Sequence, residues 1–114
     1  MSIDNLLNRE YSRSRYNCLH FSTEAWLYLT GDERLARFKE SDFGGRGTLA
    51  AFRDFKRVDG PTVVPSVVLM ENIEGAFHMG ICLDRWLLHI DSLRPEFFPI
   101  ANYEQRFKKL RYFQ

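Results

Sequence analysis

The chain has 114 residues, enough for one domain, and with 45% of them hydrophobic and 15% aromatic it can bury a core rich in Phe, Tyr and Trp. Its 16 basic and 15 acidic residues leave a formal net charge of +1, which argues against a protein defined by binding phosphate backbones. Two cysteines far apart in sequence make neither a disulfide framework nor a metal knuckle.

Ser2 is placed to cap a short helix through about Asn8, and residues 9–17 are polar and read as a loop. This N-terminal stretch has no apolar h-region, so a secretory signal is not expected, and no run reaches the ~18 apolar residues of a membrane span. Residues 18–30 read as a helix with two apolar stripes, Leu19, Trp26 and Leu29 beside Phe21, Ala25 and Tyr28. Two stripes predict a central helix buried on most sides. Gly31 ends it, and Asp32 is placed to cap a short helix through Lys39. "DFGGRG" at 42–47 reads as a loop, and a third helix is expected over about 48–56, with Leu49, Phe52 and Phe55 on its core face near Phe38.

After "VDGPT" the pattern changes to β. "SVVLM" at 66–70, "AFHMGICL" at 76–83 and "WLLHID" at 86–91 read as strands, the last two joined by the two-residue turn Asp84-Arg85. Residues 92–102 read as irregular, with Pro95 and Pro99, and "KLRYF" at 109–113 reads as a last strand. Helices first and antiparallel strands second predict a single α+β domain, with N-terminal helices packed on a small antiparallel sheet.

The candidate chemistry gathers on the hairpin. A two-residue turn at 84–85 sets 78 across from 91 and 80 across from 89. With period-two alternation His78, His89 and Asp91 share one face. His89 is then the diagonal neighbour of His78, and Asp91 lies opposite it. Cys18 opens the central helix, where it can face this surface. A helix N-terminus and a nearby imidazolium lower a cysteine pKa, which predicts a thiolate nucleophile. A histidine can take the thiol proton and return it to a leaving amine, while a third polar group holds the imidazole in the right tautomer.

The stretch "PSVVLMENIEGAFHMGICLDRWLLHID" resembles the C-terminal half of NlpC-type cysteine peptidases, papain-like enzymes that cut peptidoglycan stem peptides. The family's order is a Pro-led strand, a variable loop, a strand opening His-aliphatic-Gly-Ile, a turn, and a strand ending in a second His. Here that order is filled by Pro65, the strand at 66–70, His78-Met79-Gly80-Ile81 and His89. "YNCLHF" is similar to the family's cysteine box, with Cys18 in the nucleophile's place, and "YEQRFKKLRYF" resembles its closing segment. The sequence departs from the family at Asn17, where Asp is usual, and at Leu19-His20, where a small residue and Gly are usual. The recognition of a free substrate amine that some branches build from those residues is therefore not implied.

The resemblance implies a papain-like fold with Cys18 as nucleophile, His78 as general base and acid, and His89 as orienting residue. It implies a tyrosine near the oxyanion, Tyr11 or Tyr16, with Asp91 a rival orienting group and no cofactor. Zinc ligation by Cys18, His20, His78 and His89 is the weaker reading of the same residue types. Cys82 reads as a buried strand residue, and Arg106, Lys108, Lys109 and Arg111 as a solvated face. The expected function is a cysteine endopeptidase or amidase acting on bacterial cell wall. With no signal or wall-binding segment recognised, the expected setting is a bacteriophage tail, with the protein in the virion, or in host cytoplasm before assembly. Tail proteins are then its partners, and nucleic acid is not. An apolar contact patch is expected around Phe97, Phe98 and Ile100. The alternatives are a structural tail-tip or assembly protein that keeps the fold, and a papain-like acyltransferase or deamidase.

Overall fold

The computed structural model describes residues 3–13, 16–39 and 48–114. Among the described residues one α-helix, α1 (Cys18–Thr30), lies on a six-stranded antiparallel sheet. The strands are β1 (Arg57–Val58), β2 (Ser66–Asn72), β3 (Phe77–Leu83), β4 (Trp86–Ile90), β5 (Pro95–Pro99) and β6 (Phe107–Phe113), in the order β1-β6-β2-β3-β4-β5. This is a small α+β domain, as expected, but the described residues hold one α-helix in place of several and more strands than the sequence announces.

Helix α1 starts where its capping chemistry starts it. The Asn17 side chain accepts from the backbone of Leu19 and His20, and the His20 ring accepts from the Asn17 N–H, a reciprocal capping box. It stops at Gly31, whose φ of 75° closes the αL cap on the Leu27 carbonyl. Leu19, Phe21, Ala25 and Trp26 are buried, while Leu27 and Tyr28 are exposed. The helix therefore covers one side of the sheet and faces solvent on the other, rather than being buried on most sides. Both flanking helices of the sequence reading are corrected. Residues 4–8 form turns tied by Leu6 N–H to Ile3 O and Leu7 N–H to Asp4 O, and their proposed cap Ser2 lies outside the described residues. Asp32 does accept from the Arg34 N–H, but only a 3₁₀ turn, Arg34–Arg37, follows. The expected helix over 48–56 shrinks to a 3₁₀ turn at Ala50–Phe52, with Leu49 turned outward. Its aromatic rings do the anchoring: Phe52 stacks on Phe113 at 4.3 Å and meets Phe38 edge-on at 4.9 Å. The loop at 42–47 lies outside the described residues.

The β half follows the sequence more closely. Asp84 and Arg85 both take positive φ, 54° and 64°, as a two-residue hairpin turn demands. The register is the expected one, with Ile81 opposite Leu88, Cys82 opposite Leu87 and Leu83 opposite Trp86. The irregular reading of 92–102 is corrected: β5 pairs with β4 from Trp86–Pro99 to Ile90–Pro95, and a 3₁₀ turn, Ile100–Tyr103, follows. Prolines at both ends of a strand fit an edge position, where no neighbour needs their missing N–H.

Alternation divides the sheet into two cores. Val67, Leu69, Met79, Ile81, Leu88 and Ile90 face α1. Val68, Met70, Cys82, Leu87, Ile100, Tyr103, Phe107 and Tyr112 pack on the other side. Among the described residues no helix is long and apolar enough to cross a membrane.

Candidate active site

One end of the sheet gathers the end of β2, the start of β3, the end of β4, the start of β6 and the N-terminus of α1. A cavity of about 400 Å³ opens there, lined by Tyr11, Cys18, His78, Asp91, Arg106 and Phe107 among others. The thiol and the first histidine therefore meet in one cavity, as the sequence expects, but by a different route. His78 and His89 point to the face opposite α1, because the apolar residues alternating with them take the helix. Cys18 reaches His78's cavity around the end of the sheet, not across a shared face.

The imidazoles form a bonded pair. His78 Nε2 and His89 Nδ1 are 2.9 Å apart, with ring planes at 87°. Diagonal neighbours on adjacent strands are usually about 7–8 Å apart at Cα; Gly80, across from His89, leaves room for the rings to meet. A Cβ on Gly80 would lie 3.0 Å from His89 Cβ and 2.8 Å from Leu87 Cδ1. Phe107 stacks flat on His78 at 4.9 Å, and Tyr103 meets His89 edge-on at 4.9 Å. Burial between these rings pushes both histidine pKa values well below the ordinary one, so both are neutral imidazoles at pH 7.

Cys18 departs from expectation. Burial pushes its thiol up to about 11, and Asp91 adds to the effect, while the backbone at Met79, Leu19 and Cys18 itself pulls the other way. The helix N-terminus acts in the expected sense and loses to desolvation. Among the described residues no hydrogen bond joins the thiol to either imidazole. The resting site holds a neutral thiol and neutral imidazoles, not a thiolate.

The two tyrosine candidates separate. The Tyr16 hydroxyl donates to Glu24, which also receives a bidentate contact from Arg9, so its proton is committed away from the cavity. Tyr11 lines the cavity, its backbone N–H bonded to Leu93 O. Asp91 also lines the cavity and is held by Arg106 Nη2 at 2.9 Å. His20 belongs to the helix cap instead, and among the described residues no three His, Cys, Asp or Glu side chains converge as a metal site.

The sequence reading missed four residues of this site: Arg106, Glu96, Tyr103 and Phe107. Arg106, read as part of a solvated face, bridges Asp91 and Glu96 and lies 5.2 Å and 5.3 Å from the Tyr103 and Phe107 ring centroids. Glu96 sits opposite His89 on β5, a placement visible only once β5 is known to be a strand. Comparison with family models, with curated proteins and with solved structures gives no match.

Proposed function

We propose that this protein is a papain-like, NlpC-type cysteine hydrolase that cuts peptidoglycan stem peptides, with Cys18 as nucleophile, His78 as general base and acid, and His89 orienting it. The observation that carries this reading is the cavity shared by Cys18 and His78, with His78 Nε2 already engaged by His89 at 2.9 Å. That bond leaves Nδ1 as the ring nitrogen available to a thiol.

The resting protonation states set the order of events. With the thiol raised and the imidazoles lowered, the thiol keeps its proton until attack, and His78 Nδ1 takes it as sulfur adds to the scissile carbonyl. The oxyanion is met by the Cys18 N–H and the Tyr11 hydroxyl. Collapse breaks the C–N bond, His78 returns the proton to the leaving amine, and a thioester remains on Cys18. Water, deprotonated by His78, then attacks the thioester; the C–S bond breaks, and His78 returns the proton to sulfur, restoring the thiol. No cofactor enters this sequence. Incubation of purified muropeptides with the wild-type chain and with Cys18→Ala, read by mass spectrometry, tests it: new peptide ends form only with the wild type. Intact muropeptides after prolonged incubation with the wild type would reject the proposal.

A second reading, an assembly protein that keeps the fold without cleavage, is favoured by the raised thiol and its lack of a bond to His78. An acyltransferase or deamidase would use the same residues with a different acceptor. In either the first or second reading we place the protein in a phage tail. The support is exposed apolar surface near the cavity: Ile73, which lines it, and Leu93, bonded to Tyr11, are 75% and 82% exposed. The expected patch at Phe97, Phe98 and Ile100 is reduced to Phe98, because Ile100 is buried and Phe97 packs on the core. Mass spectrometry of purified particles should find the chain among the tail proteins; its absence there would reject the setting.

A further inference from the structure

Beyond the bonded histidine pair lies a carboxylate that the reading above does not use. Glu96 Oε1 is 3.2 Å from His89 Nε2, without the alignment of a hydrogen bond. The same oxygen accepts from the Tyr103 hydroxyl at 3.2 Å and from Arg106 Nη1 at 3.3 Å. His89 itself is fully buried, and its Nε2 has no other acceptor among the described residues. A buried ring N–H without an acceptor is costly, and so is a ring lone pair aimed at a carboxylate. The second cost is avoided, and the first is reduced by a carboxylate oxygen 3.2 Å away, when His89 carries its proton on Nε2, towards Glu96.

We propose that Glu96 is a positioning residue that fixes the tautomers of both histidines, so that His78 presents a bare Nδ1 to Cys18. The chain of consequence is short. A proton on His89 Nε2 leaves His89 Nδ1 as a lone pair. The 2.9 Å bond between the rings must then be donated by His78 Nε2–H. With its proton there, His78 has its lone pair on Nδ1, the form a general base needs. The reverse arrangement, with His89 protonated on Nδ1, would drive His78 into the Nδ1–H form and block it as a base. Arg106 and Tyr103 hold Glu96 in place from the other side, so the residues around Glu96 form a support for one tautomer. Cross-strand pairing makes this possible, because β5 sets Glu96 directly opposite His89.

The role rests on the proposed cysteine hydrolase, but its test does not depend on activity. Long-range proton–nitrogen correlation spectra of the ¹⁵N-labelled full chain at pH 7 report the tautomer of each imidazole. Both histidines should be Nε2–H with Nδ1 bare. Glu96→Gln, whose amide oxygen can still accept, should keep that state. Glu96→Leu should move His89, and with it His78, towards Nδ1–H. A wrong tautomer in a catalytic triad can cost about 10⁴ in turnover, so Glu96→Leu should also slow muropeptide cleavage at least about tenfold. A wild-type His78 in the Nδ1–H form would overturn the inference without any variant, and so would a folded Glu96→Leu chain with unchanged tautomers. The stated tautomers in a chain that cleaves no muropeptide would uphold this inference and reject the proposed hydrolase.

Discussion

Acidification from pH 7 to pH 5 should remove about 4 kcal/mol of stability, a large part of the roughly 5–15 kcal/mol that holds a domain of this kind folded. The source is the His78–His89 pair. Burial among Phe107, Tyr103 and the sheet lowers both folded pKa values far below the ordinary 6.5. Arg106 acts with burial on both rings, and the neighbouring His89 also does so on His78; Asp91 acts against it, and burial outweighs Asp91. Below pH 6.5 the unfolded chain binds protons that the folded chain refuses. Stability is therefore full above that value and falls as the pH drops towards the folded values. Over this interval each histidine accounts for about 2 kcal/mol. The two carboxylates held down by arginines, Asp32 by Arg34 and Glu24 by Arg9, give up their contributions mainly in the ordinary carboxylate range and below. Urea unfolding followed through the fluorescence of buried Trp26 measures the effect. At a urea slope of about 2 kcal/mol per molar, the midpoint should fall by about 2 M. In His89→Gln the drop should be about half as large. A wild-type midpoint that does not move between pH 7 and pH 5 would refute the burial of neutral imidazoles.

The remaining expectations concern the site and its scaffold. Cys18, with its thiol raised to about 11, should react with iodoacetamide on the order of a hundredfold more slowly at pH 7 than a free thiol, and faster with every pH step up to about 10; a plateau near pH 7 would show a preformed thiolate. His78→Ala should abolish muropeptide cleavage while His89→Ala leaves a residual rate; if His89→Ala keeps full activity and Asp91→Ala loses it, the orienting role passes to Asp91. Gly80→Ala should cost about 1–3 kcal/mol, because the new methyl meets Leu87 Cδ1 at 2.8 Å and Leu88 O at 3.0 Å. An unchanged melting temperature in that variant would contradict the close approach of β3 and β4.

What the sequence disclosed depended on how local the signal was. The stop at Gly31 and the turn at Asp84-Arg85 are local, so the end of α1 and the hairpin register could be read from residue type and spacing, while the Asn17 cap emerges only from the structure. Residues 4–8 and 48–56 carry helical composition but make only turns, because a few buried rings and Leu6 anchor them and no continuous apolar stripe does. β5 was hidden by its prolines, and Glu96 with it, since a residue on an irregular segment has no readable partner. Which face α1 covers was also out of reach: alternation defines two faces, and both faces of this sheet are apolar. The thiol pKa followed from that packing. A helix N-terminus is visible in sequence, whereas the desolvation that outweighs it here depends on the walls of the cavity.

The most direct test of Cys18 and His78 as a hydrolytic pair is muropeptide digestion in heavy-oxygen water, with the wild type, Cys18→Ala and His78→Ala compared by mass spectrometry. The wild type should release stem-peptide fragments carrying one heavy oxygen at the new carboxyl end, as water attack on a Cys18 thioester requires, and neither variant should release any. Fragments released equally by Cys18→Ala, or no fragments from the wild type, would contradict the account.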